Sequence, residues 1–124
     1  MTHYEERLDK DPSDIRAQIA EMAGLVDRAV KDAMHALQTG NTKLAAATVL
    51  NDHPINRMMR KIDAMCHKFI ALHLPSAGHL RLLSSVIRAN IELERIGDQA
   101  VNVAERVGVT AKREQLDFYF DYAT

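Results

Sequence analysis

The chain of 124 residues has no tryptophan, three tyrosines, three phenylalanines and a single cysteine. Each scarcity excludes something. Cys66 alone cannot close an internal disulfide, and its register with Met59, Ile62 and Phe69 places it among apolar positions, so it reads as a buried thiol without redox chemistry. No apolar run approaches the roughly 20 residues that a membrane-spanning helix needs, and the first twenty residues carry too much charge for a signal peptide. The expectation is a soluble, cytoplasmic chain. Sixteen basic against 17 acidic residues give a net charge of −1, which supplies no general attraction to nucleic acid. No Asn-Gly or Asp-Gly dipeptide and no alternating apolar run marks a hairpin. No glycine-rich phosphate loop and no serine, histidine and aspartate arrangement is present, so ordinary kinase or hydrolase chemistry has no residues to use. The expectation is a protein that is not an enzyme.

What the chain does have is helical periodicity. Ile15, Ile19, Met22, Val26, Ala29, Ala33 and Leu37 recur at spacings of three and four, which predicts a first helix from Asp11-Pro12-Ser13-Asp14 to Gly40. Asn41 or Thr42 caps a second, reaching about Leu72, with Ile55, Met59, Ile62, Cys66 and Phe69 as its seam. Pro54 interrupts it, because its ring clashes with the carbonyl of Leu50, so a kink or break is expected between 50 and 54. After His73-Leu74-Pro75, Ser76 caps a third helix expected to end at Val107 or Gly108. Its apolar seam is Leu82, Val86, Ala89, Leu93, Ile96, Ala100, Val103 and Val107, with Glu94, Asp98 and Glu105 pointing outward. The predicted fold is all-α, an up-down-up three-helix bundle over 11–108. Residues 1–10 are expected to be frayed or disordered, and 109–124 to form a tail in which Phe118, Tyr119, Phe120 and Tyr122 crowd together.

If the second and third helices turn back on each other near residue 75, residues whose numbers sum to 150 stand at one height. Asp52 is then level with Asp98, and Asn56 with Glu94. An i, i+4 polar pair beside an i, i+4 acid pair offers oxygen ligands to hard or borderline cations such as iron, zinc, manganese, magnesium or calcium. Exposed acid pairs also arise on any charged helix face, so spacing alone leaves a plain solvated surface open. His35 and His67 admit a histidine phosphotransfer bundle as a formal alternative, although neither has a small glycine beside it to clear a phosphoryl group. The Glu-x-x-His pairs of di-iron bundles are missing.

The run ELERIGDQAVNVAE at 92–105, with LPSAGHLRLL at 74–83 upstream, resembles the PhoU family of phosphate-uptake regulators over about residues 15–107. The resemblance implies a three-helix repeat, usually present twice per chain, so this sequence matches either an N-terminal half or a single-repeat relative that forms a homodimer. It also implies multinuclear metal clusters held by paired E(D)xxxD motifs. Glu94 and Asp98 match one motif fully. Asp52 stands at the first acid of the other, Asn56 replaces the second, and His53 could serve as a nitrogen ligand instead. The implied cofactor is a transition-metal cluster, iron or zinc ahead of manganese, magnesium or calcium. The implied role is repression of the phosphate-starvation response by linking the ATPase of a phosphate ABC transporter to a sensor histidine kinase, with membrane contact only through those partners. The runner-up is a metal-free helical adaptor for another transporter or channel, because similar bundles are appended to sodium–phosphate symporters and potassium channels. Ile87 and Ile91, which extend the carboxylate stripe away from the core seam, would be its partner surface.

Overall fold

The computed structural model describes the backbone of residues 3–73 and 75–123 and the side chains of 10–73 and 75–116. Within these, the chain is helical and contains no strand: α1 (His3–Thr39), α2 (Thr42–Leu50), α3 (Asp52–Leu72) and α4 (Ala77–Ala123). Three rods run up, down and up, the middle one being α2 and α3 end to end. Gly40 ends α1 at φ 68, a left-handed conformation that costs other residues a steric penalty, and Asn41 N–H closes onto the Ala36 carbonyl at 3.2 Å. The Asn41 side chain then accepts from Leu44 N–H at 3.0 Å and starts α2.

The break expected between 50 and 54 falls at Asn51. Its position follows from Pro54: with α3 starting at Asp52, the proline lies in the first turn, where its missing N–H has no helical partner to lose. Ser76 caps α4 as expected, accepting from His79 N–H at 3.2 Å. Two boundaries differ from the sequence reading. α1 begins at His3, so Asp11 is no cap and Pro12 lies buried inside the helix. α4 passes through Gly108 to Ala123, because Val107 is held against Ala36, Ala45 and Ala104 and the following turn contains no proline. The side chains of Phe118, Tyr119, Phe120 and Tyr122 lie outside the described residues.

The core is formed by Ile15, Met22, Val26, Ile55, Ile62, Cys66, Phe69 and Leu83, with a smaller alanine-rich cluster at the α2 end. On α4 the buried line is Leu83, Val86, Asn90, Gly97, Ala100, Ala104 and Val107, turned about one residue from the expected seam. Ile96 is 45% exposed and Ala89 lies outside, as does Leu37 on α1. The reason is steric. A Cβ on Gly97 would lie 3.5 Å from Ile55 and 3.9 Å from Val26, so all three rods converge on this glycine.

That distance permits a methyl group but nothing larger. Gly97→Ala is expected to raise stability by up to about 1 kcal/mol through helix propensity, whereas Gly97→Leu should lower it by about 1–3 kcal/mol through overpacking, both read from urea unfolding. Burial, and secondarily the nearby Asp63 carboxylate, pushes the Cys66 thiol above its ordinary pKa. The folded state therefore favours the neutral thiol. Its contribution is fully present below the unfolded pKa and is lost as pH rises above about 9, so the decline in stability between pH 8 and 10 should be shallower in Cys66→Ala.

Candidate functional site

Of the four residues singled out for metal binding, Asp52 and Asn56 lie on α3 and Glu94 and Asp98 on α4. Asp52, Asn56 and Met59 share one flank of α3 at i, i+4 and i+7. This flank faces α4, because the buried Asn90 amide donates to the Met59 carbonyl at 2.9 Å. The opposite flank, with Pro54 and Met65, lines clefts shared with α1. The contacts Asn90 to Met59 and Gly97 to Ile55 join residues whose numbers sum to within two of 150, which is the level relation expected for this hairpin. Asp52 and Asn56 therefore stand near the height of Asp98 and Glu94.

Within that arrangement the side chains differ. Asp52 and Asn56 are half-buried, and the Asn56 amide donates to Asp52 Oδ2 at 3.1 Å. Asp52 Oδ1 is buried with no hydrogen-bond donor. Glu94 is half-buried, not outward as its wheel position suggested, because the buried line of α4 has turned toward it; Asp98 remains exposed. None of the three carboxylates is in an ion pair among the described residues. Arg95, beside them in sequence, is engaged with Glu92 at 3.0 Å on another face. No three histidine, cysteine, aspartate or glutamate side chains converge tightly enough to hold a metal ion among the described residues. His53 is exposed.

A second polar cluster, at the other end of the bundle, gave no signal in the sequence. His73 ends α3 with its side chain only 4% exposed, its Nε2 3.5 Å from Asp11 Oδ2 and its ring 4.8 Å from that of Phe69. His79 meets the same phenylalanine edge-on at 5.7 Å. Phe69 and His73 are i, i+4 neighbours at the end of α3, the turn between α3 and α4 brings His79 to them, and the packing of α1 brings Asp11. His35 and His67 are exposed, and His67 Nδ1 lies 2.8 Å from the Asp63 carbonyl.

The fold is that of a helical PhoU-type bundle. The PhoU domain family matches residues 19–107, and the chain belongs to that family. It is 38% identical over 104 residues to the phosphate-specific transport system accessory protein PhoU homolog of Pseudomonas aeruginosa, covering 84% of this chain and 43% of that one. Its identity to the Aquifex aeolicus homolog is 34% over 113 residues, covering 91% and 51%, and to Escherichia coli PhoU 33% over 109 residues, covering 88% and 44%. The crystal structure of PhoU from Pseudomonas aeruginosa superposes with a TM-score of 0.78 at 39% identity, over 80% of this chain and 47% of that chain. The chain thus spans about half the length of the relatives it matches. Those relatives are named as accessory proteins of transport, not as enzymes, and no helix among the described residues is long and apolar enough to cross a membrane.

Asn90 carries a structural cost that a mutation can relieve. Its Oδ1 is buried without a donor while its amide makes one bond, and the Met59 carbonyl lies inside a helix. Replacing it by leucine removes the buried orphan, so Asn90→Leu should match or exceed parental stability, whereas Asn90→Asp, a lone buried carboxylate, should lose several kcal/mol at pH 7. Thermal melts by circular dichroism measure both.

Proposed function

We propose that this chain serves phosphate-specific transport as a non-enzymatic regulator, repressing the phosphate-starvation response by linking the ATPase of a phosphate ABC transporter to a sensor histidine kinase. The observation that carries the reading is the likeness over most of the chain to accessory proteins of that system, in sequence and in fold. The working compartment is the cytoplasm, and contact with the membrane runs through the partners. The chain acts as a homodimer, with either the tail at 115–124 or the outer strip of α4 at Ile87 and Ile91 as the contact. Deleting residues 115–124 should weaken the dimer, as measured by light scattering at about 50 μM, while circular dichroism loses only the last turns of α4 and the bundle still melts cooperatively. A monomer mass for the full chain would remove this part.

Within this reading Asp52, Asn56, Glu94 and Asp98 hold a transition-metal ion or cluster, iron or zinc ahead of manganese, magnesium or calcium. The donor-less Asp52 Oδ1 supports a cation there, since a buried carboxylate oxygen calls for a positive partner. The cation would tie α3 to α4 and cancel repulsion among the carboxylates. Because Asn56 is neutral and no three acidic, histidine or cysteine side chains converge, water or a residue from elsewhere must complete the shell. The same observation favours the second reading, a metal-free helical adaptor serving another transporter or channel.

Two measurements test these readings. In cells lacking the chain, a phosphate-starvation promoter should be active in phosphate-rich medium and fall silent when the chain is restored; an unchanged promoter would refute the regulatory role. Protein purified without chelator should retain a transition metal that is lost from Glu94→Ala with Asp98→Ala. Less than about a tenth of an equivalent in the parent protein would select the metal-free reading.

A further inference from the structure

Among the described residues the bundle has two separate cores, and α2 belongs to the smaller one alone. The larger is built from α1, α3 and α4, with Met22, Val26, Ile55, Ile62, Phe69 and Leu83 among its buried members. The smaller joins α2 to α1 and α4 through Ala36, Ala45, Ala104 and Val107. On α2 only Ala45 and Thr48 are buried, Leu44 and Val49 are half-buried, and Leu50 is 68% exposed. The helix therefore withdraws little apolar surface from water, and its departure would leave the larger core complete.

Local forces do not make up for this. Ala45, Ala46 and Ala47 favour a helix, but the 9 residues of α2 are fewer than the roughly 12–15 that an isolated helix needs to persist in water. Lys43 stands in the first turn with no acid there, and the last turn carries no basic residue, so the helix dipole is uncompensated at both ends. The Thr48 hydroxyl donates to the Leu44 carbonyl at 2.9 Å, a back-bond that weakens a helix slightly. Both ends are also articulated. Gly40 turns the chain at φ 68, Asn51 divides α2 from α3 without a side-chain cap bond, and Pro54 has no N–H to give the Leu50 carbonyl. We infer that α2 is a strap that unpacks as one unit, hinged at Gly40 and Asn51, while α1, α3 and α4 stay packed. Its release uncovers Ala36, Ala104 and Val107 between α1 and α4, so the bundle has a closed and an open form that differ at the α2 end. The inference stands on the packing and not on the transport reading.

The test is native-state hydrogen exchange on the full chain, followed by two-dimensional NMR in increasing urea below the unfolding transition. The amides of 46–50 should exchange at least about tenfold faster than the slowest amides of 58–66 and 90–97, and their protection should agree to within about threefold. Their exchange should also rise less steeply with urea, because a strap exposes less surface than the whole chain. A core substitution separates the two kinds of opening. Ile62→Val, in the larger core, weakens the closed and open forms alike, so it should speed exchange at 58–66 and 90–97 by about threefold or more and leave 46–50 unchanged. Val86→Ala repeats the comparison from α4. Equal acceleration of 46–50 in these variants, or a urea slope equal to that of the core, would show that α2 opens only when the whole molecule unfolds. Protection that rises residue by residue from both ends of α2 toward its middle would show fraying without a unit. Each of these results overturns the inference.

Discussion

The α3–α4 pair is held in register by one buried polar contact, the Asn90 amide on the Met59 carbonyl, and by one close approach, Gly97 against Ile55. Neither is a large source of stability. Their effect is positional: with a carbonyl and a side-chain amide joined across the interface, a slide of one turn would leave the amide unpaired in an apolar core. Because the register is fixed there, the residues on the flanks beside it have fixed heights, and Asp52, Asn56, Glu94 and Asp98 stand level near one end. The level placement of these four is thus a consequence of a core contact about one turn away.

The division of the middle rod serves the same end. A continuous helix from Thr42 to Leu72 would place Pro54 in its interior, with a lost hydrogen bond and a ring clash. Breaking at Asn51 restarts the helix so that the proline falls in a first turn, and it also puts Asp52 at the N-terminus of α3, where a carboxylate is favoured by the unpaired N–H groups and the helix dipole. The residue that begins α3 is therefore also the one whose Oδ1 is buried without a donor. Family membership rests on residues 19–107, the part of the chain that contains both the break and the acid pair of α4.

Much of this was legible in the sequence. The all-α fold, three rods, the caps at Asn41 and Ser76, the break before Pro54 and the level pairing of α3 with α4 follow from periodicity, capping chemistry and turn arithmetic, which depend on residues close in the chain. The α4 seam was misread at Ala89 and Ile96 because an apolar pattern counts only apolar residues. It cannot register that Asn90 is accepted into the core for one carbonyl, or that Gly97 is there for its size.

What the sequence by itself determined is the set of helices, their approximate ends and the carboxylate pair Glu94 and Asp98 on one side of the last of them. What only the tertiary structure decided is which side of each helix is inside, that Glu94 is half-buried and Asp98 is not, that Asp52 is bound by Asn56, and that His73, Asp11, Phe69 and His79 gather at the far end. The physical reason is one of range. Backbone hydrogen bonding within a helix is settled over three or four residues, whereas the rotation of a helix about its axis is set by the packing of its neighbours, whose shapes are contributed by residues thirty or more positions away.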